Sequence, residues 1–162
     1  QELIDLISDI IDSNRGINVA IIGMGNLGRA LLNYFSGKRH KLSIVASFDV
    51  NPDKIGKSVN KIPCYNITEM EKVIKRENIE IGIITVPASQ SMITAKQLVD
   101  SGIKGILNYT PKPVEVPEGV YLEEYDMITT LEKVSFYVKM ENERAADHVI
   151  QRKNQGTAAS DF

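Results

Sequence analysis

Residues 18–49 decide the fold: Asn18-Val-Ala-Ile-Ile-Gly-Met-Gly-Asn-Leu-Gly-Arg-Ala-Leu-Leu-Asn-Tyr-Phe35, a polar turn, then Leu42-Ser-Ile-Val-Ala-Ser-Phe-Asp49. The first apolar run is β-branched on both faces, as a strand covered by helices on both sides requires. Gly23 lets the chain turn sharply out of that strand. Gly25 lets a pyrophosphate approach the backbone, and Gly28 lets the following helix lie against the strand. The helix over about 26–35 aims free N–H groups, those of Asn26 and Leu27 among them, and its positive dipole end at the phosphates. Asp49 follows Gly28 by 21 residues, close to the offset of about 20 at which an acid meets the ribose hydroxyls. A carboxylate there repels a 2′-phosphate, so NAD(H) is favoured over NADP(H). A tight strand-to-helix turn with an unrelated acid downstream is the plainer alternative.

Outward from this unit, strand and helix keep alternating. Thr68-x-x-Glu71 reads as a capping box opening a helix through about Arg76. The apolar run 79–86 is a strand closed by Pro87. A helix over 91–101 presents Ile93, Ala95, Leu98 and Val99 on one face and stops at Gly102. A strand over 103–108 follows, then a proline-rich stretch and a short strand at 120–122. Such alternation predicts an α/β, doubly wound, mostly parallel sheet with right-handed crossovers and ligands at the carboxyl ends of its strands. Gly23, Asp49, Val86-Pro87-Ala88 and Asn108-Tyr109-Thr110-Pro111 all fall at those ends. Residues 2–11 have apolar side chains at helical spacing and begin without a cap, which predicts that the chain starts inside a longer parent.

A final helix starts near Asp126 or Thr129, with Thr129-x-x-Glu132 as a second capping box. Its apolar residues, Leu131, Val134, Phe136, Tyr137, Val138 and Met140, need more than one wall. Packing on another subunit and packing on its own sheet both satisfy that need. After Glu143 the chain turns polar and reads as a frayed tail.

Composition narrows the class. The 162 residues are 43% apolar and 25% charged, enough for one domain with appended arms. A net charge of −2 leaves no basic footprint for nucleic acid across the chain. One cysteine, Cys64, excludes an intrachain disulfide; a small buried residue is the simple reading and a redox thiol the alternative. No targeting segment or long apolar run is present, so a soluble cytoplasmic protein without a membrane partner is expected. Of the two histidines, His40 lies in a polar turn and His148 in the polar end, where solvated surface roles are expected. With no acid–base residue or substrate domain in evidence, the cofactor unit points to a sensor, a binding module or a fragment of an enzyme.

The ordered motifs Gly23-Met-Gly-Asn-Leu-Gly-Arg-Ala-Leu31, Phe48-Asp-Val-Asn-Pro-Asp-Lys-Ile-Gly56, Thr85-Val-Pro-Ala88 and Gly102-Ile-Lys-Gly-Ile-Leu-Asn-Tyr-Thr-Pro111 resemble the Rex family of redox-sensing repressors. So does Val116-Pro117 followed by Tyr125-Asp126-Met127 and a helix. The resemblance runs from about residue 2 to residue 140. It implies a Rossmann-type NAD(H)-binding domain at 17–125, a helix at 126–143 swapped between two subunits, and a polar tail at 144–162. Residues 1–16 then connect to an N-terminal winged-helix DNA-reading domain, which this sequence lacks. The partners implied are a second copy, as a homodimer, and operator DNA through that domain alone; the cofactors are NADH and NAD⁺, and the protein is not an enzyme.

By position, the resemblance puts Gly23, Gly25 and Gly28 at the pyrophosphate, Asp49 at the adenosine ribose, and Val50 and Lys54 in the loop beside the adenosine. It brings Thr85, Val86, Pro87, Ala88, Asn108, Tyr109, Thr110 and Pro111 near the ribose and nicotinamide. Tyr34 matches a tyrosine that registers the redox state; an aromatic buried on the helix's core side is the alternative. Asp126 matches an acid that exchanges partners between two dimer arrangements, and also reads as a helix N-cap. Met127 falls where relatives set an apolar, often aromatic, side chain against the partner's nicotinamide. Two other functions stay open: a cofactor-binding fragment of an NAD-dependent oxidoreductase, and a coenzyme A-binding domain.

Overall fold

The computed structural model describes residues 16–35 and 41–157, the side chains of 146–157 excepted. The leading amphipathic segment, the turn carrying His40, the His148 side chain and residues 158–162 lie outside the described residues. Two compact units divide at Tyr125/Asp126.

In the first unit, β1 (Ile17–Ile22) leads through the glycine turn into α1 (Asn26–Phe35) and returns in β2 (Leu42–Asp49). A hairpin of β3 (Ser58–Val59) and β4 (Ile62–Asn66) precedes α2 (Met70–Arg76), β5 (Ile79–Ile84), α3 (Ser91–Asp100), β6 (Gly105–Asn108) and β7 (Tyr121–Glu124). The sheet order is β3-β4-β2-β1-β5-β6-β7, parallel except for the β3–β4 pair. This is the expected doubly wound arrangement. Successive strands grow one way from β1 and then the other, so a crevice opens between the carboxyl ends of β1 and β5.

Alternation along β1 sorts the core. Ala20 and Ile22 face the side covered by α2 and α3, where Phe48, Val73, Ile84 and Leu98 are sealed from solvent. Val19 and Ile21 face α1 and pack with Leu32, Cys64 and Ile83. Each fully buried Ile, Leu, Val or Phe among them contributes about 1.5–3 kcal/mol. Gly82 makes room for Leu98, since a Cβ on it would meet the Leu98 side chain at 2.8 Å. Cys64 packs among the buried side chains on the α1 face as a small apolar filler, and that burial raises its thiol's pKa.

The hairpin was not foreseen from sequence. Its turn residues Asn60 and Lys61 both have positive φ, 51° and 69°, as the tight turn matching strand twist requires. Pro63 disguises β4, but it precedes the first β2–β4 pair, Ser47 with Cys64, and Cys64 makes the bonds to the β3 side, so its missing N–H leaves no ladder bond unmade.

Both predicted capping boxes are displaced. Asn66, not Thr68, caps the turn into α2: its Oδ1 accepts from Thr68 N–H at 3.0 Å, while Glu69 reaches back to Asn66 N–H at 3.3 Å. Glu71 instead pairs with Lys75 one turn on, at 2.6 Å. On α3 the buried face is Ser91, Thr94, Ala95 and Leu98, and Ile93 is exposed. Gly102, at φ +90°, ends that helix as expected.

The second unit is α4 (Met127–Thr157). Asp126 caps it through Ile128 N–H at 2.9 Å and Thr129 N–H at 3.2 Å, so Thr129 lies inside the first turn and is not its cap. The hydrogen bond from the Thr129 hydroxyl is the main reason the Asp126 carboxyl titrates below its usual range. The helix continues past Glu143, where the sequence reading ended it. No proline or glycine interrupts residues 127–155, and Arg144 pairs with Glu141 at 2.8 Å. Met127, Ile128, Leu131, Val134, Phe136, Tyr137 and Val138 stand exposed along it.

Candidate functional site

The crevice between β1 and β5 holds a cleft of about 610 Å³. Its floor begins at the glycine turn. Gly23, at φ +98°, donates its N–H to Phe48 O at 2.8 Å and so binds the turn to β2. Arg29 N–H donates to Gly25 O at 3.1 Å, starting α1 there and leaving the N–H groups of its first turn aimed outward. A Cβ on Gly28 would collide with the Gly23 carbonyl, so that glycine sets how closely α1 approaches the turn. A Cβ on Gly25 would meet nothing within 4 Å and would project into open space. That vacancy beside a helix N-terminus fits the pyrophosphate of a dinucleotide.

Asp49 closes the other side. It is 8% exposed and fully engaged: Oδ1 accepts from Asn51 N–H at 2.8 Å, and Oδ2 accepts from Met24 N–H at 2.8 Å and from Lys54 Nζ at 2.9 Å. Burial alone would raise its pKa. The hydrogen bonds from Asn51, Lys54 and Met24 outweigh that and hold the carboxyl below its ordinary range. Between β1 and β5, the Thr85 hydroxyl donates to Gly23 O at 2.7 Å and Thr85 N–H to Ile22 O at 2.8 Å, fixing the strand ends that frame the opening.

Of the site residues expected from sequence, Gly23, Gly25, Asn26, Leu27, Asp49, Val50, Lys54, Thr85, Val86 and Pro87 line this cleft. Gly28 lies behind the turn. Ala88 opens the short turn before α3, its carbonyl taken by the Ser91 hydroxyl at 2.9 Å. Asn108, Tyr109, Thr110 and Pro111 are not part of the lining either. Asn108 is fully buried, and its side chain organises the loop: Oδ1 accepts from Thr110 N–H at 3.0 Å and Nδ2 donates to Lys112 O at 3.0 Å. Tyr109 packs on Tyr125 with ring centres 5.1 Å apart. These contacts tie the 108–111 loop to the carboxyl end of β6.

Tyr34 is 61% exposed, which overturns the alternative of a buried aromatic. Gly28 and Leu32 face the sheet, and two residues beyond Leu32 the helix has turned Tyr34 away from it. Met127 and Asp126 belong to the second unit, where Met127 is exposed and Asp126 caps α4.

Sequence reading missed the cleft's far wall. Gln90, Ile93, Thr94 and Gln97 come from α3 and the turn before it, with Ile67 below. Their i, i+3, i+4, i+7 spacing is visible in the sequence, but there Ile93 reads as one face with Ala95, Leu98 and Val99. Among the described lining residues, the charged groups are Asp49 and Lys54 alone, and they are bonded to each other. Among the described residues no group of three or more His, Cys, Asp or Glu is placed to hold a metal. No described helix is long and apolar enough to cross a membrane.

Residues 14–112 match the family described as CoA binding domain. The redox-sensing transcriptional repressor Rex of Listeria welshimeri is 37% identical over 137 residues, covering 85% of this chain and 64% of its own length. The chain thus spans somewhat less than two thirds of that curated relative. Among solved structures, the Rex-family repressor RSP in complex with β-NAD⁺ and operator DNA superposes with a TM-score of 0.79 at 32% identity, covering 90% of this chain and 67% of RSP. RSP in complex with β-NADH gives a TM-score of 0.77 at 32% identity, covering 90% and 70%.

Proposed function

This chain belongs to the Rex family of redox-sensing transcriptional repressors, and from that membership we propose that it is the NAD(H)-binding, redox-sensing and dimerisation part of such a repressor. The observation that carries the reading is the cleft itself, where an open Gly25 vacancy, the first turn of α1 and Asp49 stand in the order that pyrophosphate and adenosine ribose require. In this reading the first turn of α1 and the glycine backbone hold the phosphates. Asp49, Val50 and Lys54 take the adenosine end. Thr85, Val86, Pro87 and Ala88, with the 108–111 loop, frame the nicotinamide end.

The bound nucleotide acts as a signal. NAD⁺ carries a cationic planar nicotinamide and NADH a neutral one, so a pocket with apolar walls favours NADH by sparing the desolvation of a positive charge. A ligand moves a conformational equilibrium only by its difference in affinity for the two states. If NADH prefers the dimer arrangement that misplaces the DNA readers, rising NADH releases the parent protein from its operator. By linkage, operator DNA then weakens NADH binding by the same factor. Tyr34, Asp126 and Met127 are the switch residues in this account, and DNA is met only through an N-terminal domain outside this sequence.

A homodimer is the proposed assembly, swapped through the helix at 126–143. The exposed apolar stripe on α4 supports it, as does an apolar groove of about 310 Å³ on the α1 side of the sheet, lined by Ile44, Ile81, Ile83, Leu107 and Tyr121. Domain limits of 17–125, 126–143 and 144–162 and a cytoplasmic location belong to the same proposal.

Calorimetric titration of the 162-residue chain with NADH and with NAD⁺, followed by sizing of the complexes, tests this reading. NADH binding more tightly to a dimer supports it, and equal affinities remove the sensing role. The family description favours one second reading, a coenzyme A-binding domain, which competition between CoA and NADH decides. Hydride exchange with a small carbonyl or alcohol would instead reveal a fragment of an oxidoreductase.

A further inference from the structure

The Asp49–Lys54 pair alters what the acid at the end of β2 can do. A lone carboxylate repels any phosphate on the adenosine ribose and so favours NAD(H). Here Oδ2 is already filled by Met24 N–H and by Lys54 Nζ, at 2.8 and 2.9 Å. Oδ1 accepts from Asn51 alone, at 2.8 Å, so one lone pair remains there for a ribose hydroxyl. Lys54 is about one-third exposed and lines the cleft, and two of its three ammonium N–H groups stay available beyond Asp49. Among the described residues lining the cleft it is the one cation, and the pair as a whole carries no net charge.

We propose that Lys54 is a specificity-determining residue for the adenosine end of the ligand: tied to Asp49, it reads an unphosphorylated ribose, and freed from Asp49 it accepts a ribose phosphate. The proposal rests on the dinucleotide reading above and deepens it. Two opposed effects follow from the geometry. Removing the ammonium leaves Asp49 as a bare carboxylate facing the ribose edge, which raises the penalty on a 2′-phosphate. Neutralising Asp49 removes the repulsion and releases a flexible point charge of the kind that binds phosphate. The two substitutions therefore move the NADH-to-NADPH preference in opposite directions, although both break the same ion pair.

The test is a titration of the 162-residue chain and its Lys54→Met and Asp49→Asn variants with NADH and NADPH at fixed low salt, with thermal melts alongside. The wild-type chain is expected to prefer NADH. Lys54→Met is expected to raise the ratio of NADH to NADPH affinity by about tenfold, and Asp49→Asn to lower it by about tenfold. A loop-anchoring role for Lys54 would weaken both ligands equally in Lys54→Met, and an unchanged ratio in that variant overturns the proposal. Lys54→Met keeps the Met24 and Asn51 bonds to Asp49, so it decides the matter even if Asp49→Asn does not fold. Failure of the wild-type chain to bind NADH at all would overturn the dinucleotide reading itself. NADH binding with an unmoved ratio defeats only the role given to Lys54.

Discussion

Met24 N–H donates to Asp49 Oδ2 at 2.8 Å, joining the middle of the glycine turn to the end of β2 across 25 residues of sequence. The acid proposed to serve a ribose therefore also holds the glycine turn in shape. If Asp49 binds the ribose as proposed, binding and stability are coupled at this one carboxylate.

Asp49 should give the protein an acid-sensitive component of stability. Its folded-state pKa is depressed, so its contribution is fully present above the unfolded value of about 3.9 and is lost as pH falls through the lower folded value. Thermal melts from pH 7 down to pH 3 should show Tm falling at the acid end, with a flatter acid limb in Asp49→Asn. An identical acid limb in the variant would contradict the assignment.

The two glycines around the start of α1 should respond oppositely to alanine. Gly28→Ala forces a Cβ into the Gly23 carbonyl and should cost about 1–3 kcal/mol in urea denaturation. Gly25→Ala meets open space at a φ that is not positive and should alter stability by no more than about 0.5 kcal/mol. Its methyl group stands where the pyrophosphate is proposed to lie, so NADH affinity should fall by about tenfold or more. Unchanged NADH affinity in Gly25→Ala would remove the phosphate from that turn.

Asn108→Ala should destabilise the first unit by about 1–3 kcal/mol, because Thr110 N–H and Lys112 O lose their buried partner. Asn108→Asp keeps the acceptor for Thr110 but sets a carboxylate against the Lys112 carbonyl, and should recover only part of the loss. Equal denaturation midpoints for all three proteins would show that the loop does not depend on this side chain.

Asp126→Ala should shorten α4 at its start, since the Ile128 and Thr129 N–H groups lose their acceptor. Far-UV circular dichroism should show reduced helical signal, with most of it restored in Asp126→Asn. If Asp126 also serves as a switch, Asp126→Asn will keep the helix yet bind NADH and NAD⁺ with a changed ratio. That pairing distinguishes a cap from a cap that is also a sensor.

The legible parts of this protein were those fixed by neighbours in sequence. Positive φ at Gly23 and Gly102, the close approach at Gly28, alternation in β1 and the run of α1 from Asn26 all follow from covalent geometry and periodicity over a few residues. The capping boxes went astray for the same local reason. Asn66-x-x-Glu69 and Thr68-x-x-Glu71 both satisfy the pattern, and only the end of β4 at Asn66 chooses between them.

The sequence by itself determined the doubly wound topology, the glycine turn and the position of Asp49, because each is specified by spacing along one strand–turn–helix–strand unit. Tertiary structure alone decided the rest of the site. It turned Ile93 and Gln97 of α3 to the cleft and buried the Asn108 side chain at the end of β6, where it braces the following loop. It also committed Asp49 to Met24 and Lys54. Those outcomes depend on which donors arrive at a buried acceptor once distant strand ends are brought together, and linear spacing carries no record of that competition.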